Sequence, residues 1–192
     1  MFYLIFLFFC CFGCNDPKPS PTETETAVVE WTPPWSECEN SIGNHPCDWT
    51  LVDQSGDERS LYEFYGRPIV LDLSAMWCYP CNVAAFDAQE IQDLYASEDL
   101  VYLTVLIENR TGSPPELIDI QSWVSDYNIT TAPVLAGSRE LLNNSDPKLG
   151  YYLEGWPTFY FINNEMVMKS YLKGYSREML EAEIDIMLLG LE

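Results

Sequence analysis

The chain has 192 residues, 47% of them hydrophobic, and carries 30 acidic against 9 basic side chains, for a formal net charge of −21. That length suits one domain with appendages, and the apolar content argues against disorder throughout. So acidic a surface repels phosphate backbones and anionic headgroups, which speaks against a nucleic-acid partner. The single histidine, His45, removes most metal sites and every arrangement that needs a second imidazole.

Residues Met1 to Phe12 are almost wholly apolar. The run is shorter than the ~20 residues a membrane-spanning helix needs, so it reads as the core of an export signal, although no Lys or Arg precedes it. Cys11-Phe12-Gly13-Cys14, followed by polar Asn15-Asp16, resembles a bacterial lipoprotein signal. That resemblance makes 1–13 the signal peptide and Cys14 the lipidated first residue of the mature chain; a plain secretory cleavage nearby is the alternative. Residues 14–37 are rich in Pro, Thr and Glu and read as a tether, with a reach on the order of 60–70 Å at ~3.1 Å per residue. Trp31 and Trp35, near its end, are candidates to dock on the domain that follows.

That domain is assigned to 38–192. Trp49 to Val52 and Arg59 to Leu61, separated by a turn-rich stretch, read as a hairpin. Ile69 to Leu73 suits a buried central strand. Asn82 to Ala96 has apolar residues at helical spacing, Leu100 to Ile107 reads as a second buried strand, and Pro114-Pro115 opens a helix from about Glu116 to Tyr127. A short strand at Pro133 to Ala136 leads into a short helix and an acidic loop over 137–155. Pro157 to Asn163 and Val167 to Leu172 form a hairpin around Asn163-Asn164-Glu165, and an amphipathic helix from Ser176 to Leu189 closes the chain. This order predicts an α/β fold: a central mixed sheet flanked by helices, with an N-terminal β-hairpin extension.

The seven cysteines fall into three groups, of which Cys78 and Cys81 carry the chemistry. Met76-Trp77-Cys78-Tyr79-Pro80-Cys81 lies between a predicted strand and a predicted helix. A cysteine at a helix N-terminus meets unpaired N–H groups and the positive end of the helix dipole, which favour the thiolate. Cys78 is therefore predicted to be the exposed, reactive sulfur. Cys81, one turn later, is close enough to form a disulfide with it, and Pro80 fits the first turn, where its missing N–H is not needed.

These residues, with the strand Ile69 to Leu73, the Trp156-Pro157-Thr158 segment, the closing hairpin and Gly174, resemble the thioredoxin superfamily, and within it the TlpA/ResA-like exported thiol–disulfide oxidoreductases. The resemblance spans residues 47 to 190 and implies a reductase that works through the Cys78–Cys81 dithiol without a separate cofactor. It implies protein disulfides as substrates and a membrane electron donor upstream. It makes Pro157 a cis proline packed against the cysteines, with the Trp156 backbone offered to an extended substrate. Trp77 becomes a shield over the site, and Tyr79 and Pro80 lie beside the substrate. Asp72 matches the buried acid of thioredoxin, with a proton-exchange role towards Cys81; the alternative is an acid capping a strand end in water.

Other readings are weaker. A zinc site lacks ligands beyond Cys38, Cys47 and His45. A copper chaperone of this fold needs Cys-x-x-x-Cys and a later histidine. A peroxiredoxin-like peroxidase needs Pro-x-x-x-Thr-x-x-Cys, which is absent. A redox-inactive peptide-binding or chaperone module stays open. Cys38 and Cys47 are predicted to form a structural disulfide in an oxidising compartment, and His45, between them, is predicted to be solvated.

Overall fold

The computed structural model describes residues 32–190. The predicted signal peptide, Cys14, Trp31 and most of the tether lie outside the described residues. The strands are β1 (Thr50–Asp53), β2 (Glu58–Ser60), β3 (Ile69–Ala75), β4 (Val101–Glu108), β5 (Val134–Ala136), β6 (Thr158–Ile162) and β7 (Met168–Lys173). The helices are α1 (Tyr79–Leu94), α2 (Leu117–Asp126) and α3 (Arg177–Leu189). Single helical turns occur at Leu61–Phe64, Ala96–Glu98 and Arg139–Leu141.

The strands form one mixed sheet in the order β2-β1-β5-β4-β3-β6-β7. β3, β4 and β5 run parallel, whereas β6, β7 and the N-terminal hairpin pair antiparallel. β3 is buried at every position because it has a strand on either side and packing on both faces. Its alternation sorts the core into two layers. Val70 faces a layer shared with Ala84, Ala88 and Ile91 of α1, Ile120 and Trp123 of α2, and Leu180 and Ile184 of α3. All three helices therefore cover one face of the sheet.

Ile69, Leu71 and Leu73 face the other layer, closed by Leu61, Phe64, Tyr151 and the partly buried Trp35, Trp49 and Leu153. Loops and single turns thus do on this face what helices do on the opposite one. Leu71 has no solvent exposure, and its truncation to alanine would cost about 2–5 kcal/mol.

α1 begins three residues before the position read from apolar spacing. Cys78 is its N-cap in an extended conformation, and Tyr79 and Pro80 occupy the first turn. α3 starts on Ser176, whose hydroxyl accepts the Met179 N–H, and ends on Gly190 at φ 66°, a left-handed conformation that suits glycine.

Trp35 docks on the domain. It stacks on His45 with ring centroids 4.1 Å apart and planes 6° from parallel, and its indole N–H donates to the Tyr62 hydroxyl at 3.2 Å. His45 is consequently not the solvated side chain the sequence suggests: its Nδ1 lies 2.8 Å from the Met166 carbonyl, to which it donates. Cys38 and Cys47 are bonded, with Cα atoms 4.9 Å apart, and close the loop that carries His45.

Candidate active site

Cys78 and Cys81 are bonded to each other at the N-terminus of α1. The Cys81 N–H donates to Cys78 Sγ at 3.2 Å, so the first sulfur replaces the oxygen of an ordinary N-cap side chain. A negative charge on that sulfur would gain both this N–H and the helix dipole.

Contrary to the sequence expectation, Cys78 is not exposed. It is 3% accessible and bonded to the fully buried Cys81, while its neighbours Trp77 at 48% and Tyr79 at 80% are exposed. Pro80 is also exposed on the first turn of α1.

The strand register places the second half of the site. Leu73 of β3 pairs with Thr158 of β6, so the peptide just before Thr158 lies at the end of the sheet from which the cysteine motif emerges. The Trp156–Pro157 bond is cis. The Trp156 and Trp77 rings meet edge to face at 5.9 Å, and the Pro157 carbonyl accepts from the Gly174 N–H at 2.8 Å. A cavity of about 560 Å³ opens beside Trp156, with Arg139, Tyr152 and Leu153 in its wall.

Asp72 sits in the middle of β3, 1% accessible, on the helix-covered face with Val70. It therefore does not cap a strand end in water. Its carboxyl accepts from Ser74 Oγ at 2.5 Å and from the Tyr102 hydroxyl at 3.4 Å. Burial pushes its pKa up to about 7, although the hydrogen bonds from Ser74, Tyr102 and Thr104 pull the other way.

Four further residues shape the motif. Glu108, at the end of β4, accepts the Trp77 indole N–H at 2.7 Å, and its own backbone carbonyl accepts from Met76 N–H at 2.9 Å. Arg139 forms an ion pair with the same carboxylate. Burial alone would raise the Glu108 pKa, but the hydrogen bonds from Arg139 and Trp77 outweigh it and hold the group below the usual carboxylate range. Asn82 donates to the carbonyls of Met76, at 3.1 Å, and Cys78, while Tyr127 donates its hydroxyl to the Asn82 side-chain carbonyl. Sequence reading missed all four. The signal available for Asn82 was a poor helix former placed in the second half of the first turn.

A strand that ends in a Cys-x-x-Cys helix cap, with a cis proline leading into the neighbouring strand at the same end of the sheet, defines a thioredoxin-like thiol–disulfide oxidoreductase. The chain belongs to the AhpC/TSA family, whose model matches residues 42–171. Thioredoxin-like protein YneN of Bacillus subtilis (strain 168) is 24% identical over 145 residues, 75% of this chain and 79% of that protein. Thiol-disulfide oxidoreductase ResA of Geobacillus kaustophilus (strain HTA426) is 21% identical over 146 residues, 76% of this chain and 77% of that protein. Among solved structures, the chain is similar to the pneumococcal exposed lipoprotein thioredoxin Etrx1 of Streptococcus pneumoniae strain TIGR4, with TM-score 0.58 and 25% identity, covering 76% of this chain and all of the other. It is also similar in fold to a thiol:disulfide interchange protein of Chlorobium tepidum TLS, with TM-score 0.62 and 17% identity over 77% of this chain and 98% of the other.

Proposed function

We propose that the protein reduces disulfides of other proteins outside the cytoplasm, with Cys78 as nucleophile and Cys81 as the resolving thiol. The observation that carries this assignment is the Cys81 N–H directed at Cys78 Sγ at the start of α1. In the reduced protein the Cys78 thiolate attacks one sulfur of a substrate disulfide. The new S–S bond joins Cys78 to the substrate, and the second substrate sulfur leaves as a thiolate. Cys81 then loses its proton and attacks Cys78 Sγ, which forms the intramolecular disulfide and expels the remaining substrate thiolate. Two electrons pass to the substrate, and a separate dithiol donor on the membrane side must return them.

Asp72 takes the Cys81 proton. Its burial on the same face of the sheet as the cysteines, and a pKa of about 7, support exchange near neutral pH. Trp77, Tyr79 and Pro80 on one side and the Trp156–Pro157 peptide on the other bound the place where an extended substrate segment lies. The Tyr79-Pro80 dipeptide lacks the histidine of strongly oxidising DsbA-type sites, which favours reduction over oxidation.

Export and lipidation at Cys14 rest on the apolar N-terminus and the Gly13-Cys14-Asn15 junction. The exposed-lipoprotein character of the pneumococcal relative supports the same reading. An insulin-reduction assay with dithiothreitol as donor tests the function. The parent protein accelerates insulin precipitation, and Cys78→Ser abolishes the acceleration; equal activity in both proteins would refute the assignment. Peroxide consumption above that of the Cys78→Ser variant, without insulin reduction, would favour a peroxidase instead.

A further inference from the structure

Asn82 follows the cysteine motif directly and is the fourth residue of α1. Asparagine is a poor helix former, because its amide competes for backbone groups. Here the amide does so productively. Its nitrogen reaches back over the helix start to the carbonyls on either side of Trp77: Met76 O at 3.1 Å and Cys78 O. The Cys78 carbonyl also accepts the Asn82 backbone N–H at 3.1 Å, so one residue grips the N-cap twice.

The amide has two ends, and the other is fixed as well. Its oxygen accepts the hydroxyl of Tyr127, the residue that ends α2. Tyr127 is nearly buried and wedged between Trp123, with ring centroids 4.6 Å apart, and Phe86, at 4.8 Å. Burial raises its pKa, so the phenol remains a donor at neutral pH.

We infer that Asn82 is a positioning residue for the redox reaction: its amide, oriented by Tyr127, holds the Met76–Cys78 backbone so that Cys78 Sγ stays on the Cys81 N–H. This inference rests on Cys78 being the nucleophile. Released from the clasp, the 76–78 segment can turn the sulfur off the helix end. The thiolate then loses the N–H and part of the dipole, while the disulfide form loses less. Cys78 should therefore become less acidic, and the dithiol–disulfide equilibrium should shift towards the oxidised protein.

The test compares the parent with Asn82→Ala and Tyr127→Phe. The second variant keeps the ring packing and removes only the hydroxyl that orients the amide. Asp72 on β3, Glu108 on β4 and Arg139 against Glu108 are unchanged in both proteins. Two quantities are measured: the iodoacetamide alkylation rate of Cys78 across pH 4–9, and the equilibrium with glutathione. The alkylation rate at pH 6 should fall about tenfold in Asn82→Ala and about threefold in Tyr127→Phe, with the profile moved to higher pH in both. At pH values above the thiol pKa, where the thiolate predominates, the glutathione equilibrium should also move towards the disulfide.

Folded variants with parental alkylation profiles and equilibria would overturn the inference, as would variants that lose thermal stability alone. If Asn82→Ala does not fold, Tyr127→Phe decides by the same two measurements. A parent protein whose Cys78 shows no preferential alkylation would overturn the nucleophile assignment, and this inference with it. A reactive parent with unmoved variants overturns this inference only.

Discussion

Tyr102 donates its hydroxyl to Asp72 across the β3–β4 pair at 3.4 Å, and both side chains are sealed between the sheet and the helices. Because burial raises the Asp72 pKa from 3.8 to about 7, the native state keeps a proton that the unfolded chain has released. Native stability therefore falls as pH rises from about 4 to 7, by on the order of 4 kcal/mol. Asp72→Asn removes the titration. Chemical denaturation should show the variant more stable than the parent at pH 8, with the gap closing towards pH 4. Parallel pH profiles for the two proteins would contradict this account.

The same substitution should slow the second half of the redox cycle. With no carboxylate to accept the Cys81 proton, resolution of a preformed mixed disulfide on Cys78 should slow by roughly a hundredfold at pH 7. Formation of that mixed disulfide should be little changed. Quenched-flow mass spectrometry of each step separates the two; an unchanged resolution rate would remove Asp72 from the mechanism.

Glu108 ties three parts of the site together: Trp77 through the indole, Met76 through the backbone, and Arg139 through an ion pair. Glu108→Ala leaves the Trp77 N–H and the Arg139 guanidinium without this acceptor and should cost about 1–3 kcal/mol of stability. Because the Glu108 pKa is lowered, its contribution is present above the unfolded carboxylate pKa and fades as pH falls through the lower native value. Denaturation of parent and variant at pH 7 and at pH 2.5 should therefore show a larger difference at neutral pH.

Cys38–Cys47 closes a loop with a sequence separation of 9, which by loop entropy is worth about 2–3 kcal/mol. The double variant Cys38→Ser/Cys47→Ser should melt at a lower temperature while insulin reduction at 25 °C is retained. Loss of activity in a folded double variant would instead give this pair a part in electron transfer.

What the sequence made legible was local. The Ile69 to Leu73 run and the Cys-x-x-Cys at its end can each be read from a few neighbouring residues, whereas the part of Trp156-Pro157 in the site came only with the family resemblance. The fold class follows from their order. The start of α1 was misplaced because Tyr79-Pro80-Cys81 carries no apolar period, whereas the N-cap geometry of Cys78 decides it. Glu108 and Asn82 were missed for a different reason. Their partners Trp77 and Tyr127 lie 31 and 45 residues away and meet only after β4 and α2 have packed. The coverage of one sheet face by loops likewise depends on strand order, which residue periodicity does not encode; Trp35 was legible as a docking residue, but its partner His45 was not.

The most direct test of the central claim is to trap the intermediate. Reduced Cys81→Ser protein, mixed with oxidised glutathione and quenched with acid, should carry one glutathione by intact mass, and peptide mapping should place it on Cys78. The matched Cys78→Ser protein should form far less adduct under the same conditions. Adduct on Cys81 in the second protein as fast as on Cys78 in the first would contradict the assignment of the helix-capping sulfur as nucleophile.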